Sequence, residues 1–311
     1  MTKIRGVITP AEIAPLLGKH CGKWRQTEGK ENLSGGCTDA VHLKNAARPP
    51  KPSKLTLPKG MKALSGESAF RLVILFLALQ TAGAAESARQ QTIVLISGES
   101  EYDSARTLPA FKQYLATNYG FNCIYLERTK SEEIPGLDAL DKADLAIIFV
   151  RRMTLSEEQL GKIKKFIDSG KPLIGLRTAS HAFENWKEWD RDVLGGNYHN
   201  HYGNDLTAAI KVRPEAADHP ILKGVAKEFT AGGSLYLNAP LPPSSTVLLM
   251  GSVTNHPPEP VAWTHEYKGA RIFYTSLGHP KDFENRSFRR LLVNAIFWTL
   301  NRRPPFVRKS D

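Results

Sequence analysis

The residues best suited to chemistry lie in the segment PLIGLRTASHAF, residues 172–183. A short apolar run is followed there by four residues with functional side chains, Arg177, Thr178, Ser180 and His181. This is the pattern of a buried parallel strand that turns sharply into a helix, and in open α/β sheets such a turn faces the ligand crevice. Arg177 can bind an anion or a sugar hydroxyl, and His181 can move a proton near neutral pH. The structural alternative is that Ser180 caps a helix and His181 packs on the sheet.

A second dense segment spans residues 184–205 and includes LGGNYHNHYGND. Its aromatic and imidazole side chains are Trp186, Trp189, Tyr198, His199, His201 and Tyr202. Long polar and aromatic loops beside a strand end often carry sites, so Trp186 and Tyr198 are predicted to stack on a sugar ring. His199 and His201 could share a divalent metal, but such a pair needs a third ligand. The candidates for that ligand are His181, His279 and Asp205.

Two further strand ends carry reactive side chains. Glu99 and Tyr102 follow the apolar strand TIVLIS, and together with Thr178 they are predicted to orient sugar hydroxyls. His279 follows the apolar run RIFYTSLG. With His201 it is a candidate general base, because imidazole titrates near the operating pH of most enzymes.

The elements that must position these side chains alternate between strands and helices. Apolar runs predict strands at 92–97, 121–126, 144–150 and 173–176. The clearest helix, TLSEEQLGKIKKFIDSG, is predicted to begin with a capping box formed by Ser156 and Gln159. Parallel neighbours need helical crossovers, so this order predicts an α/β fold with a doubly wound, mostly parallel sheet. A hairpin that turns at Lys268 and Gly269 is predicted to add an antiparallel part near the C-terminus.

The net charge of +11 does not indicate a nucleic-acid partner. Residues 1–60 hold eleven Lys or Arg against four Asp or Glu, whereas residues 85–311 hold 29 against 26. The basic excess therefore lies mostly outside the predicted domain, and a nucleic-acid-binding face needs basic residues gathered on the domain itself. The sequence contains neither a P-loop nor a GxGxxG motif, so no dinucleotide cofactor is expected.

The segment from Met61 to Ala85 has the three parts of a secretory signal peptide. Basic residues precede the apolar run LVILFLAL, and small residues follow it. We expect translation to start at Met61, so that residues 1–60 are a disordered basic leader from a mis-assigned start. The product is then expected to be periplasmic or secreted, with no stable membrane insertion beyond the signal segment. The alternative is a cytoplasmic tail followed by a single membrane anchor. Cys123 is then the one cysteine of the mature domain, so no disulfide can form within it.

Five motifs in order give the chain a resemblance to a known family. The motifs are ISGESEYDSARTLPAF, PLIGLRTASHAF, GGNYHNHYG, DHPILKG and FYTSLGHPKDFENRSFRRLLVNAIFW. Together they resemble the trehalose-utilisation (ThuA-like) family over residues 90–302. The resemblance implies a flavodoxin-like sheet related to class I glutamine amidotransferase domains, and a role in bacterial catabolism of sugars, especially trehalose and 3-keto-sugars.

The comparison with amidotransferases also shows where this chain departs from that pattern. The elbow position that resembles the site of their catalytic Cys is Arg177 here, and His279-Pro280 is followed by Lys281 where they have Glu. A thiolate nucleophile and the carboxylate that orients its histidine are both absent from these positions, so glutamine hydrolysis is not expected.

The sequence therefore favours an exported enzyme that acts on a sugar or 3-keto-sugar glycoside by isomerisation, hydrolysis or elimination. In this interpretation His279 or His201 is the general base, Arg177 holds a carbonyl or hydroxyl oxygen, and a divalent metal could assist. One rival is a non-catalytic carbohydrate-binding domain, and another gives the histidines and aromatic residues a purely structural role. The number of titratable groups at separate strand ends favours the enzyme. The pattern leaves the oligomeric state open.

Overall fold

The computed structural model describes residues 89–305, so the predicted leader, 1–60, and signal peptide, 61–85, lie outside the described residues. The longer strands are β1 (Thr92–Gly98), β2 (Asn122–Glu127), β3 (Leu145–Val150), β4 (Leu173–Leu176), β9 (Thr246–Ser252), β10 (Glu259–Tyr267) and β11 (Ala270–Thr275). The short strands are β5 (Asn200–His201), β6 (Ala209–Val212), β7 (Glu228–Thr230) and β8 (Tyr236–Leu237). The α-helices are α1 (Ser104–Tyr119), α2 (Glu157–Asp168), α3 (Pro280–Glu284) and α4 (Arg286–Thr299).

Nine of these strands form one sheet, in the order β2-β1-β3-β4-β11-β10-β9-β6-β7. The pairs from β2 to β11 are parallel, and β4 pairs with β11 through Leu173 opposite Ile272 to Leu176 opposite Thr275. This half has the doubly wound, flavodoxin-like arrangement, in which ligands bind beyond the carboxyl ends of the strands. The predicted fold class is confirmed.

The antiparallel half of the sheet is larger than the predicted hairpin. The hairpin β10–β11 turns at Lys268 and Gly269, with φ of 49° and 79°, as expected for a tight hairpin turn. Beyond it, β9, β6 and β7 continue the antiparallel pairing. Strands β6 and β7 have four and three residues, too few to show a clear alternating pattern in the sequence.

The two faces of the sheet are covered by separate apolar clusters. Along β1, Ile93 and Leu95 pack in one cluster, whereas Val94 and Ile96 pack in the other, because successive side chains of a strand point to opposite faces. Cys123 belongs to the first cluster, where burial raises the pKa of its thiol to about 11. It is therefore a buried apolar side chain and not a nucleophile. Within residues 89–305, no helix has the length and apolar character needed to cross a membrane.

The predicted capping box of α2 is half formed. Oγ of Ser156 accepts a hydrogen bond from the backbone N–H of Gln159, at 3.3 Å. The Gln159 side chain does not return to the cap; it bonds the backbone N–H and C=O of Ile134, at 3.0 and 3.2 Å. The glutamine thus ties the preceding loop to the helix, a contact between distant segments that a local motif could not predict.

Candidate functional site

A cavity of about 420 Å³ lies at the carboxyl-end edge of the parallel strands. It brings together six of the predicted site residues, Tyr102, Arg177, His181, Tyr198, His201 and His279. They come from the ends of β1, β4 and β11 and from the segment that follows β4. Because the carboxyl ends of parallel strands meet at one edge, residues far apart in sequence gather in this cavity.

Arg177 occupies the sharp turn where β4 ends. Its φ of 42° lies in the left-handed region, which is unfavourable for a residue with a Cβ, so surrounding contacts must hold the turn. One such contact is the hydroxyl of Tyr274, which donates to the carbonyl oxygen of Arg177 at 2.6 Å. The side chain that this turn directs into the cavity wall is only 1% exposed.

The guanidinium of Arg177 is held by two aromatic rings and by main-chain oxygens. It lies over the rings of Tyr102 and Tyr236, at 4.0 and 4.7 Å from their centroids. Nη1 donates to the carbonyl oxygen of Ser276 at 2.8 Å, and longer contacts of 3.4 Å reach Ser234. The fork predicted to hold a ligand oxygen is therefore mostly directed at the protein, and Arg177 offers the cavity chiefly its charge.

The charge of Arg177 is not neutralised by an ion pair. Within the part of the chain that the structure describes, no carboxylate lies within 4.0 Å of its guanidinium, and its Nε has no hydrogen-bond partner. Burial acts to lower the pKa of Arg177, but the oxygens of Tyr236, Tyr102 and Asp282 raise it. A buried cation of this kind creates a strong local preference for negative charge, because the surroundings screen it poorly.

His201 has a free lone pair. It lies in β5, which pairs with β8 through His201 opposite Tyr236. Nδ1 of His201 lies 2.7 Å from the carbonyl oxygen of Tyr202. A carbonyl can only accept, so Nδ1 carries the proton of the neutral ring and Nε2 is the basic atom. The residue is exposed and lines the cavity.

His279 has the opposite arrangement. It is the N-cap residue of α3, and its Nδ1 lies 3.2 Å from the backbone N–H of Lys281. An N–H can only donate, so Nδ1 accepts and the proton of the neutral ring is on Nε2. Burial is the main cause that lowers the pKa of His279, and Arg177 and Lys281 lower it further against the opposing effect of Asp282. His279 is therefore a neutral hydrogen-bond donor near pH 7.

His181 is also neutral. Burial, followed by the charges of Arg152, Arg151 and Arg177, lowers the pKa of its imidazole to about 3. The ring stacks on Tyr198, with centroids 4.5 Å apart. This pair forms one wall of the cavity, so His181 is better suited to hydrogen bonding than to taking up a proton at neutral pH.

Asp190 holds the backbone of Tyr198 in this wall through a hydrogen bond. Its Oδ2 accepts a hydrogen bond from the backbone N–H of Tyr198 at 2.8 Å, and its Oδ1 is buried with no partner in the described chain. Burial raises the pKa of the carboxyl to about 7, although the bond from Tyr198 opposes the shift. The sequence showed Asp190 only as part of a polar loop, and nothing in its pattern indicated a buried acid.

Two of the predicted sugar contacts are buried elsewhere. The carboxylate of Glu99 accepts the backbone N–H groups of Tyr102 and Ser104, both at 2.7 Å, and so stabilises the start of α1. Thr178 is fully buried and is not among the residues that line the cavity. Glu101, two residues after Glu99, does line the cavity. The loop predicted to contact the sugar therefore presents Glu101, and not Glu99, to the cavity.

The two tryptophans of residues 184–205 do not face the cavity. Trp189 is 1% exposed, and its indole N–H donates to the carbonyl oxygen of Ala179. Trp186 packs beside it, with ring centroids 5.1 Å apart, and does not line the cavity. Both belong to the apolar cluster on one face of the sheet, so the aromatic content of this loop reflects packing. Tyr102, Tyr198 and Tyr236 provide the aromatic walls instead.

The histidines do not form a metal centre with other ligands. Residues 89–305 contain no group of three or more His, Cys, Asp or Glu side chains arranged to hold one ion. His199 is exposed, its Nδ1 lies 3.0 Å from the carbonyl oxygen of Asn197, and it does not line the cavity. Among the described residues, His199 and His201 therefore have no third ligand of the kind that the predicted metal site needs.

Sequence reasoning missed seven residues of the cavity, namely Glu101, Arg151, Asn204, Gly232, Gly233, Ser234 and Tyr236. The adjacent glycines Gly232 and Gly233 are a sequence signal that could have indicated this part of the cavity. A Cβ on Gly233 would lie 3.0 Å from Nη2 of Arg177, and one on Gly232 would lie 2.8 Å from Nδ1 of His279. Adjacent glycines often mark such a close backbone approach.

Arg177 and Lys281 occupy the two positions where the sequence departs from the amidotransferase pattern. Arg177 stands at the strained elbow, and Lys281 is exposed. The nearest acidic residue in sequence to His279 is Asp282, whose carboxylate accepts the backbone N–H groups of Gly232, Gly278 and His279. It therefore fixes the turn around the histidine rather than orienting the imidazole ring.

Comparisons with known proteins agree with the resemblance noted from the motifs. The family described as trehalose utilisation (ThuA) matches residues 92–299. A crystal structure of a ThuA-like protein from Bacteroides uniformis is 19% identical, with a TM-score of 0.56, over 69% of this chain and 94% of that one. A ThuA-like protein from Parabacteroides merdae is 18% identical, with a TM-score of 0.57, over 71% and 94%.

A β-galactosidase from Bacillus circulans is 14% identical, with a TM-score of 0.50, over 69% of this chain and 32% of that chain. At these identities the solved structures show a shared fold alone. A search of curated proteins finds no match. The family match covers most of the described residues, so the chain belongs to the trehalose-utilisation (ThuA-like) family and has a carbohydrate-related role.

Proposed function

We propose that this protein is an enzyme of carbohydrate catabolism that removes a proton next to the carbonyl group of a sugar or 3-keto-sugar glycoside. The observation that carries the proposal is the buried, unpaired cation Arg177, which lies in one cavity with two histidines of opposite hydrogen-bonding character. A site built in this way favours a reaction in which negative charge develops on an oxygen.

His201 is the general base of the proposal. Its Nε2 has the lone pair, because Nδ1 donates to the carbonyl oxygen of Tyr202. The bond from Nδ1 also fixes the ring and its tautomer, as a carboxylate does in other acid–base sites. Between the two candidate bases that the sequence left open, this hydrogen bond favours His201.

His279 and Arg177 stabilise the oxyanion. The Nε2–H of neutral His279 can donate to a carbonyl oxygen without adding a second full charge to the cavity. Arg177 supplies the positive charge, held in place by Tyr102 and Tyr236. Because both groups are fixed before substrate binds, little reorganisation is needed when the charge develops.

With a 3-keto-sugar as substrate, the reaction begins by proton removal. Nε2 of His201 takes the proton from the carbon beside the carbonyl, the C–H bond breaks, and its electron pair moves to the carbonyl oxygen to give an enolate. In elimination the enolate re-forms the carbonyl as the glycosidic C–O bond breaks, and protonated His201 gives its proton to the departing oxygen. In isomerisation protonated His201 gives its proton to the enolate oxygen to form an enediol. The other hydroxyl of the enediol then loses its proton to His201, which returns it to the former carbonyl carbon, so that the carbonyl moves to the neighbouring carbon. Addition of water to the elimination product completes hydrolysis.

Hydrogen–deuterium exchange tests the shared first step of these reactions. We expect the wild type to exchange the proton next to the carbonyl of 3-keto-trehalose in D₂O, followed by NMR, whether or not cleavage follows. Substitution His201→Ala is expected to slow exchange by about 10²–10⁴-fold, the usual contribution of a general base. Unchanged exchange in that variant would remove the proposed role of His201.

Calorimetric titration separates the enzyme from a carbohydrate-binding domain. Binding of 3-keto-trehalose by a wild type that neither exchanges nor cleaves it would identify a non-catalytic binding domain. Metal analysis of the same protein tests the remaining metal hypothesis, for which His199→Ala and His201→Ala are the informative variants.

We further infer that the protein is exported, periplasmic or secreted, with synthesis from Met61. The support is the basic, apolar and small-residue order of residues 61–85. Mass-spectrometric mapping of the native N-terminus tests it. A mature N-terminus near residue 85 is expected, and peptides from residues 1–60 would contradict the inference.

A further inference from the structure

An ion pair between Glu101 and Arg151 lies in the wall of the cavity. Nη2 of Arg151 lies 2.8 Å from Oε1 of Glu101, and the two side chains are 34% and 44% exposed. Glu101 follows β1 and Arg151 follows β3, which are neighbours in the sheet. The backbone N–H of Arg151 donates to the carbonyl oxygen of Gly98 at 3.1 Å. The pair is therefore anchored at the same strand edge as the rest of the site.

Stability does not explain this ion pair. Pairs with such exposure contribute little to folding, because water screens them and ordering two long side chains costs entropy. Nε of Arg151 is buried and has no hydrogen-bond partner in the described part of the chain. The two side chains are partly exposed at the cavity wall, where a bound molecule can contact them.

The hydrogen-bonding capacity of the pair matches neighbouring sugar hydroxyls. The ion pair joins Nη2 to Oε1, so Oε2 of Glu101 can accept a hydrogen bond and Nη1 of Arg151 can donate one. Each sugar hydroxyl both donates and accepts. Two hydroxyls on adjacent ring carbons can therefore bind the acceptor and the donor at once.

The charges of Glu101 and Arg151 determine which class of ligand can bind beside them. The opposite charges of Glu101 and Arg151 offset one another, so the pair adds no net attraction for an anion. For a carboxylate or phosphate placed here, the repulsion from Glu101 offsets the attraction to Arg151. The positive charge of Arg177, which lies over the ring of Tyr102, remains available for the developing oxyanion.

We propose that Glu101 and Arg151 together bind a vicinal diol of the sugar ring and give the cavity its specificity for neutral, unphosphorylated sugars. The inference rests on the proposed function only in taking a sugar as the ligand. It assigns Glu101 and Arg151 to binding and leaves the proton transfer to His201.

Calorimetric titration of trehalose and its 2-, 3-, 4- and 6-deoxy analogues tests the diol. Substitution Glu101→Gln is expected to weaken trehalose binding about tenfold, the effect of losing one hydrogen bond to a charged group. The same substitution should not weaken the binding of analogues that already lack one of the two adjacent hydroxyls. An equal loss with every analogue would overturn the proposal, as would tighter binding of trehalose 6-phosphate than of trehalose by the wild type.

Glu184→Gln is the matched control. Glu184 pairs with Arg152 at 3.1 Å, with side chains 40% and 51% exposed, and does not line the cavity. It should leave trehalose binding within about twofold of the wild type. Thermal unfolding of both variants checks that each is folded.

The outcomes separate this inference from the proposed function. Deuterium exchange into 3-keto-trehalose with Glu101→Gln binding as tightly as the wild type would reject the diol site and leave the catalytic proposal standing. Diol-dependent binding without deuterium exchange would reject the catalytic proposal and leave the diol site standing. A wild type that binds neither trehalose nor 3-keto-trehalose would reject both.

Discussion

The buried carboxyl of Asp190 is expected to make the protein less stable as the pH rises from about 4 to about 7. In the folded state its Oδ1 has no partner among the described residues, and burial raises its pKa from 3.8 to about 7. Ionisation in that environment is unfavourable, because the one hydrogen bond from Tyr198 does not replace the lost hydration.

The sign and size of the effect follow from proton linkage. Below pH 4 the carboxyl is protonated in both the folded and the unfolded chain. Between pH 4 and 7 the unfolded chain has released the proton and the folded chain keeps it, so the free energy of unfolding falls by about 1.4 kcal/mol per pH unit. Above pH 7 both states are ionised and the loss stays constant, at about 4 kcal/mol at most.

Substitution Asp190→Asn should remove this dependence. The amide oxygen can still accept the N–H of Tyr198, and the side chain no longer ionises. Urea unfolding at pH 4, 5, 6, 7 and 8 should show that the free energy of unfolding of Asp190→Asn increases relative to that of the wild type as the pH rises, with a plateau above pH 7.

The neighbouring Asp192→Asn variant is the control for Asp190→Asn. The side chain of Asp192 is 43% exposed, and its hydrogen bond to Arg191 lowers its carboxyl pKa. The pH-dependent change in stability of Asp192→Asn should therefore be weak and of opposite sign. A difference between Asp190→Asn and the wild type that does not change from pH 4 to 8 would refute the reasoning.

Three further substitutions test the packing and hydrogen bonds of the site. Gly233→Ala, whose Cβ would lie 3.0 Å from Nη2 of Arg177, should reduce turnover of 3-keto-trehalose by about tenfold or more, whereas Gly161→Ala, with nothing within 4 Å, should not. His279→Asn can still cap α3 but lacks the Nε2–H donor, so kcat should fall on the order of 10²-fold at unchanged Tm, and His279→Ala should also lose about 1 kcal/mol of stability. Trp189→Phe removes the indole bond to Ala179, so urea unfolding should show a loss of roughly 1–3 kcal/mol, while calorimetry should show unchanged sugar binding. Equal turnover in the two glycine variants, full activity in His279→Asn, or lost sugar binding in Trp189→Phe would each contradict the corresponding assignment.

Much of the fold could be predicted because its signals are local. The strand β4 is a buried apolar run between a helix end and a polar turn, and its neighbours repeat that pattern. From this order it follows that Arg177, after β4, and His279, after β11, reach the same edge of the sheet. The convergence of these residues required no knowledge of packing beyond the direction of parallel strands.

The remaining features of the site depend on tertiary contacts. Glu99 and Glu101 occupy the same loop, and only the path of the backbone determines that Glu99 binds the start of α1 while Glu101 faces the cavity. Tyr236 enters through the two-residue pairing of β5 with β8, which leaves no periodic trace in the sequence. The protonation patterns of His201 and His279 depend on which backbone group each Nδ1 meets, and that is a property of the folded chain.

The position of β11 has a consequence for how the chain acquires its function. This strand pairs with β4 on one side and β10 on the other, and the bond from Arg177 to Ser276 spans 99 residues. Closing so long a segment costs entropy and slows folding, so β1 to β4 can assemble before β11 arrives. Without β11, β4 would present an open apolar edge on which other chains could pair. The pairing of β11 with β4 therefore covers this edge and also brings His279 to the cavity.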